Sequence, residues 1–188
     1  MKIGFSGLTS TGKTTLATAV VEALGWRLVS EGIPQELFKT KPERAAQLLF
    51  DYASSKRKEQ NAGGDCVLDR TAVDIAMLII NQFELFNFRA THLAFAECQA
   101  MARELDVLFL MPEDGIGFDH AENEAGLKRQ YNPLMRLRSS ILLRGLTQRL
   151  MPKTAVVEIP SSLSTLDARL EFVLSTLQAS ESAVAKTD

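Results

Sequence analysis

The chain of 188 residues has 46% hydrophobic and 23% charged residues, the balance of an ordinary globular protein of one domain. Its net charge of −2 gives no overall basic field for nucleic acid, and its two cysteines are too few for a disulfide framework. The apolar run over residues 71–88 contains Asp74 and Glu84, so we expect no membrane span. Because the chain opens on a strand-like run and not on a signal-like segment, we expect a cytoplasmic protein.

Short apolar strand candidates alternate with longer helical segments, which predicts an α/β domain with a mainly parallel sheet. The predicted strands are residues 2–6, 26–30, 65–69, 106–111 and 155–159. The predicted helices are residues 13–24, 42–61, 72–86, 90–104, 125–150 and 163–177, with a break in the fifth of them near Asn132-Pro133 and a helical turn at 34–38. We predict one domain over residues 1–179 and a flexible, polar tail over 180–188.

A glycine-rich segment joins the first predicted strand to the first helix, and it reads Gly7-Leu8-Thr9-Ser10-Thr11-Gly12-Lys13-Thr14. This is the G-x-x-x-x-G-K-[ST] pattern, in which backbone N–H groups and the helix N-terminus face phosphate oxygens. Lys13 can reach the β- and γ-phosphates of ATP, and the hydroxyl of Thr14 can bind Mg²⁺. The residues predicted to bind ATP are Gly7, Thr9, Ser10, Thr11, Gly12, Lys13, Thr14 and Thr15.

Charged side chains follow the second and third predicted strands, at the sheet edge where open α/β folds bind ligands. Glu31 can accept the proton of an acceptor hydroxyl. Asp69 can organise Mg²⁺ or act as the base, while Arg70 offers a fork suited to phosphate oxygens. The sequence leaves open which carboxylate is the base. Asp74, one helical turn further, is expected to make local hydrogen bonds.

A lid is predicted over residues 113–138, where a segment rich in glycine and acidic residues leads into an arginine-rich helix. Arginines stabilise charge on a moving phosphoryl group, and closure of a lid excludes water. Arg129 is the first candidate for this role and Arg136 the second.

The phosphate-loop segment, Glu31 and the triplet Asp69-Arg70-Thr71 together resemble the P-loop nucleoside and nucleotide kinases. Deoxynucleoside kinases, thymidylate kinases and ribosylnicotinamide kinase-like domains are the members it is most similar to. The resemblance implies a three-layer P-loop NTPase fold with a five-stranded parallel sheet, helices on both faces and a helical lid. It places the phosphate-loop strand in the middle, Glu31 against the acceptor, and Asp69 and Arg70 near the reacting oxygen.

These features favour a kinase that transfers a phosphoryl group from ATP, with Mg²⁺, to a small acceptor, best interpreted as a nucleoside or nucleotide. A less favoured alternative is a kinase acting on a hydroxymethylated pyrimidine in DNA. It would need a basic groove, for which the candidates are Lys56, Arg57, Lys58, Lys128 and Arg129. A third interpretation is a regulatory ATP-binding module whose apolar helices contact a partner, and the same helices leave a homodimer open.

Overall fold

The computed structural model describes residues 1–113, 132–152 and 154–184, with the side chains of residues 181–184 excepted. The described residues form a five-stranded sheet in the order β2-β3-β1-β4-β5, and all neighbouring strands are parallel. The strands are β1 Lys2–Ser6, β2 Arg27–Val29, β3 Cys66–Asp69, β4 Val107–Leu110 and β5 Ala155–Glu158. The predicted parallel sheet is confirmed, and the phosphate-loop strand β1 lies in its middle.

Helices connect consecutive strands, as parallel pairing of the strands requires. They are α1 Lys13–Leu24, α2 Pro42–Gln60, α3 Ala72–Ile80, α4 Arg89–Arg103, α5 Pro133–Leu150 and α6 Leu166–Val184. Short 3-10 helices span Gln35–Phe38 and Phe83–Leu85. The sheet therefore presents the carboxyl ends of all five strands along one edge.

Alternate residues of the central strands face two separate apolar cores. Ile3 and Phe5 point toward α1 and α6, and the ring of Phe5 stacks on Phe109 of β4 with centroids 5.4 Å apart. Leu68 and Leu108 point the other way, into the core beneath α2, α3, α4 and α5. Helices thus cover both faces, which confirms the predicted three-layer α/β fold.

The helix boundaries differ from the predicted ones mainly at α3 and α6, and α5 begins at the predicted break. A capping box formed by Thr71 and Asp74 begins α3, but the helix ends at Ile80 and a separate 3-10 helix follows. The side chain of Asn132 caps the N-terminus of α5, which begins at Pro133. The last helix spans Leu166–Val184, where residues 163–177 were predicted. Most of the predicted lid, residues 114–131, lies outside the described residues.

Cys66 and Cys98 are both free and buried, and burial raises the pKa of the Cys98 thiol to about 12. In the described parts of the chain, none of the helices has the length and apolar character needed to cross a bilayer.

Candidate active site

The loop between β1 and α1 has the tight curl that the glycine pattern predicts. Ser10 and Gly12 both adopt left-handed backbone conformations, with φ of 63° and 85°. A Cβ at Gly7 would lie 2.8 Å from the Cβ of Met111, so a larger residue there would have to displace the chain after β4. No acidic residue occupies the first turn of α1, so the positive end of its dipole faces the loop without a neutralising side chain.

Lys13 folds back over this loop instead of reaching into solvent. Its Nζ donates to the carbonyl oxygens of Gly7 at 2.9 Å and Leu8 at 2.7 Å, and the residue is only 5% exposed. Burial lowers the pKa of Lys13 to about 8, although the carboxylates of Asp74 and Asp69 oppose that shift. The ammonium therefore lies in the concave side of the loop without an ion-pair partner among the described residues.

Thr14 and Asp69, the two residues predicted to bind Mg²⁺, are hydrogen-bonded to each other. The hydroxyl of Thr14 donates to Oδ2 of Asp69 at 2.7 Å, and Asp69 is 2% exposed. The other carboxylate oxygen, Oδ1, is buried and has no hydrogen-bond partner. This donor set suits Mg²⁺, which commonly takes one or two carboxylates and completes its shell with water and phosphate oxygens. The described residues hold no cluster of three or more metal-binding side chains.

Glu31 and Arg70 meet across the carboxyl ends of β2 and β3. Nε of Arg70 lies 2.6 Å from Oε1 of Glu31. Arg70 adopts a left-handed conformation with φ of 66°, uncommon for a residue with a Cβ. Its guanidinium also lies 3.9 Å from Oδ1 of Asp74. The side chain of Glu31 is 36% exposed, so this carboxylate is partly open to solvent while Asp69 is enclosed.

Asp74 ties the N-terminus of α3 to the start of the phosphate loop. Its Oδ2 accepts hydrogen bonds from Thr71 N at 2.9 Å and from the Ser6 hydroxyl at 2.5 Å. Its Oδ1 accepts a longer one from Gly7 N at 3.4 Å. The expected local hydrogen-bonding role of Asp74 is confirmed, and it links β1, the loop and α3.

Two buried cations lie beside the cluster: Arg169, which the sequence did not single out, and Lys56, which was considered only for a basic groove. Arg169 of α6 donates to the carbonyl oxygens of Thr11 at 3.0 Å and Leu163 at 2.8 Å, and it is 2% exposed. Burial lowers the pKa of this guanidinium. Lys56 of α2 is also 2% exposed, and burial lowers its pKa to about 8. Arg169 therefore holds the backbone of the phosphate loop at Thr11 through a buried hydrogen bond.

The basic groove required by the DNA alternative is not supported by the described residues. Lys56 is buried, and Arg57 forms ion pairs with Glu104 at 2.8 Å and Glu97 at 3.3 Å. Of the described candidates, only Lys58 is an exposed lysine without such a contact. Lys128 and Arg129 lie outside the described residues.

The other predicted site residues fall at the edge of this cluster or outside it. Thr9 and Thr15 are exposed, and Thr11 is buried with its hydroxyl donating to Leu8 O at 2.9 Å. Arg136 is half-buried in the first turns of α5, and Arg129 lies outside the described residues. The lid roles of both arginines stay predictions.

Solved structures of other proteins share this architecture. Deoxyadenosine kinase from M. mycoides with bound dCTP aligns with a TM-score of 0.64 and 13% identity, over 95% of this chain and 100% of that chain. Thymidylate kinase from Candida albicans aligns with a TM-score of 0.54 and 13% identity, over 96% and 92%. This chain has the fold of the P-loop nucleoside and nucleotide kinases. The resemblance inferred from the phosphate loop and the Asp69-Arg70-Thr71 triplet is confirmed at the level of fold.

A third structure with the P-loop kinase fold is the YorR protein from Bacillus subtilis in complex with phosphorylated GDP. It aligns with a TM-score of 0.54 and 12% identity, over 96% of this chain and 98% of that chain. No protein-family model matches the sequence, and no curated protein matches it significantly. At such identities the likeness concerns the fold, so the reaction has to be argued from the site itself.

Proposed function

We propose that this protein is a kinase that transfers the γ-phosphoryl group of ATP to a nucleoside or nucleotide. The observation that carries the proposal is the cluster formed by the phosphate loop, the Thr14–Asp69 pair and the Glu31–Arg70 pair. It combines a triphosphate cradle and a partly exposed carboxylate–guanidinium pair at one sheet edge, where open α/β folds bind ligands. The structural neighbours named as deoxyadenosine and thymidylate kinases support this class of acceptor.

On the donor side, the loop amides would bind the phosphates of ATP, and Lys13 would exchange its two carbonyl contacts for β- and γ-phosphate oxygens. Thr14 and Asp69 would hold Mg²⁺, directly or through water. Bound Mg²⁺ would supply charge neutralisation between the β- and γ-phosphates. The unpartnered Oδ1 of Asp69 supports this assignment, because a buried carboxylate oxygen without a donor carries a desolvation penalty that a cation would remove.

On the acceptor side, Glu31 is the better candidate for the base. Asp69 already accepts the Thr14 hydroxyl and is enclosed, whereas Glu31 is partly open to solvent and is oriented by Arg70. In the proposed step, the acceptor oxygen forms a bond to the γ-phosphorus while the bond to the β–γ bridging oxygen breaks. If the acceptor is a hydroxyl, its proton passes to Glu31. Arg70 is placed to stabilise charge on the transferred group.

The lid assignment belongs to the same proposal. Arg129 and Arg136 would approach the transferred phosphoryl group when residues 113–138 close over the nucleotide, which excludes water. Residues 1–179 would then act as a single kinase domain, with catalysis arising mainly from positioning and electrostatics.

The experiment is ADP release with Mg²⁺–ATP against a panel of acceptors, each compared with water alone. The panel contains nucleosides, nucleoside monophosphates, ribosylnicotinamide, plain DNA and DNA containing hydroxymethyluracil. We expect a large rise with one nucleoside or nucleotide and none with Lys13→Met. Stimulation by the modified DNA alone would favour the DNA kinase. A flat response across the panel, with ATP bound, would overturn the proposal in favour of a regulatory module.

A further inference from the structure

The pairing between β2 and β3 ends just before Glu31 and Arg70. The last paired residues of the two strands are Val29 and Leu68, so Glu31 and Arg70 lie beyond the ladder. No β2–β3 ladder hydrogen bond therefore fixes the distance between these two chain segments. The geometry of the Glu31–Arg70 pair depends on whatever holds the two strand ends together.

Lys56 bridges this gap from α2. Its Nζ donates to Ser30 O at 2.6 Å and Asp69 O at 2.8 Å, and it lies 3.5 Å from Glu31 O. One ammonium therefore joins the chain after β2 to the last residue of β3, in the place that ladder N–H donors occupy elsewhere in the sheet.

Tyr52 reinforces the same junction one helical turn earlier on α2. Its hydroxyl donates to the backbone carbonyl of Glu31, and its ring lies 5.9 Å from Nζ of Lys56. Burial raises the pKa of the Tyr52 phenol, so the hydroxyl stays a donor. The backbone of Glu31 is thus bonded by Tyr52, while its carboxylate is paired with Arg70.

The buried charge of Lys56 is unusual for a residue that only stabilises the fold. Among the described residues it forms no ion pair with a carboxylate, and its hydrogen bonds all go to main-chain oxygens. An enclosed ammonium without a direct counter-charge is costly, and an apolar side chain could fill much of the same volume. The ammonium instead stabilises the main-chain conformation at Glu31 and Asp69, whose carbonyl oxygens accept its hydrogen bonds.

We propose that Lys56, assisted by Tyr52, is a positioning residue that sets the separation of Glu31 from the Asp69–Arg70 turn and thereby the geometry of acceptor transfer. The inference rests on the proposed kinase function. It assigns an active-site role to a lysine whose hydrogen bonds all go to main-chain oxygens. Loss of the bridge would let the chain after β2 move, while Asp69 stays held by its pairing with Phe5 of β1 and by the hydroxyl of Thr14.

The test compares Lys56→Met and Tyr52→Phe with the wild type and with Lys58→Met, an exposed lysine of the same helix. Three quantities are measured: kcat and KM for the best acceptor found in the panel, acceptor-independent ATP hydrolysis, and the Kd of Mg²⁺–ATP. For Lys56→Met we expect kcat/KM for the acceptor to fall about 100-fold, because displacements of an ångström cost about that much in oriented reactions. The Kd of Mg²⁺–ATP and the hydrolysis rate should stay within about threefold, a change of ~0.7 kcal/mol or less.

Tyr52→Phe removes one hydrogen bond and keeps the ring, so it stays informative if Lys56→Met does not fold. Loss of one such bond should lower acceptor kcat/KM by about three- to tenfold. The Lys58→Met control should match the wild type. Wild-type acceptor kinetics in Tyr52→Phe together with wild-type kinetics or misfolding in Lys56→Met would overturn the positioning role. An equal loss of Mg²⁺–ATP binding and acceptor turnover would overturn it too. A wild-type protein without acceptor-stimulated activity would instead refute the proposed function.

Discussion

The Lys13→Met variant separates the contribution of Lys13 to ATP binding from the cost of burying its charge in the folded protein. Burial lowers the pKa of Lys13 from 10.5 to about 8. At ~1.4 kcal/mol per pKa unit, keeping this proton at pH 7 costs the folded state about 3 kcal/mol. The two hydrogen bonds from Nζ to Gly7 O and Leu8 O offset about 1–2 kcal/mol of that cost. Methionine keeps the apolar stem and removes the charge, so we expect the free energy of unfolding to rise by about 1–2 kcal/mol.

The sign of the pH dependence provides a second check on this variant. Below pH 8 both the folded and the unfolded wild type hold the Lys13 proton, so the cost is constant. Between pH 8 and pH 10.5 the folded state loses the proton while the unfolded state keeps it, so Lys13 makes wild-type stability rise with pH. The stability advantage of Lys13→Met should therefore be largest near pH 7 and shrink toward pH 10.

The assay is urea unfolding without nucleotide at several pH values, with Lys58→Met as the control for loss of an exposed lysine. Calorimetric titration at pH 7 should show Mg²⁺–ATP affinity of Lys13→Met lowered by about 10- to 100-fold, since charge-assisted hydrogen bonds are worth about 1.5–3 kcal/mol. If Lys13→Met were less stable than the wild type by more than ~1 kcal/mol, or if it bound Mg²⁺–ATP normally, the argument would be refuted.

Three other substitutions and one chemical modification test the remaining parts of the site. Glu31→Gln should lower kcat for a hydroxyl acceptor by about 100-fold with unchanged Mg²⁺–ATP affinity; equal loss of both would contradict a base. Asp69→Asn should keep its fold and require far more Mg²⁺, and an unchanged Mg²⁺ titration would exclude a metal role. Arg169→Met should weaken Mg²⁺–ATP binding about tenfold by releasing Thr11 O; unaltered binding would exclude support of the loop. Cys98 should resist alkylation at pH 8 until unfolding, because burial raises its pKa to about 12; rapid labelling of folded protein would contradict this.

The conformation of the phosphate loop could be predicted because it is local in sequence. The spacing of Gly7, Gly12 and Lys13 encodes a strand–loop–helix unit, and the curl follows from residues a few positions apart. The strands were predicted for a similar reason, since runs such as Val107–Leu110 are apolar throughout and central to a parallel sheet. Asp69 and Arg70 could be placed because they end such a strand.

The buried cations could not be assigned because their partners are main-chain oxygens distant in sequence. Lys56 was considered only as part of a basic groove, although it lies four residues after Tyr52 and seven after Leu49 on the buried face of α2. Arg169 likewise lies on the apolar face of α6, four residues before Val173. Helical spacing marks both as inward-facing, but nothing local shows that they contact the ends of β2 and β3 or the phosphate loop.

The central claim is transfer of the terminal phosphoryl group of ATP to a nucleoside or nucleotide at the cluster of Lys13, Glu31 and Arg70. The most direct measurement incubates the protein with Mg²⁺ and ATP labelled in the γ-phosphate, together with the nucleoside and nucleoside monophosphate panel, and locates the label by chromatography. The account predicts label in one phosphorylated nucleoside or nucleotide, and its loss in Glu31→Gln. Label found only in inorganic phosphate, at the same rate with and without every acceptor, would contradict it.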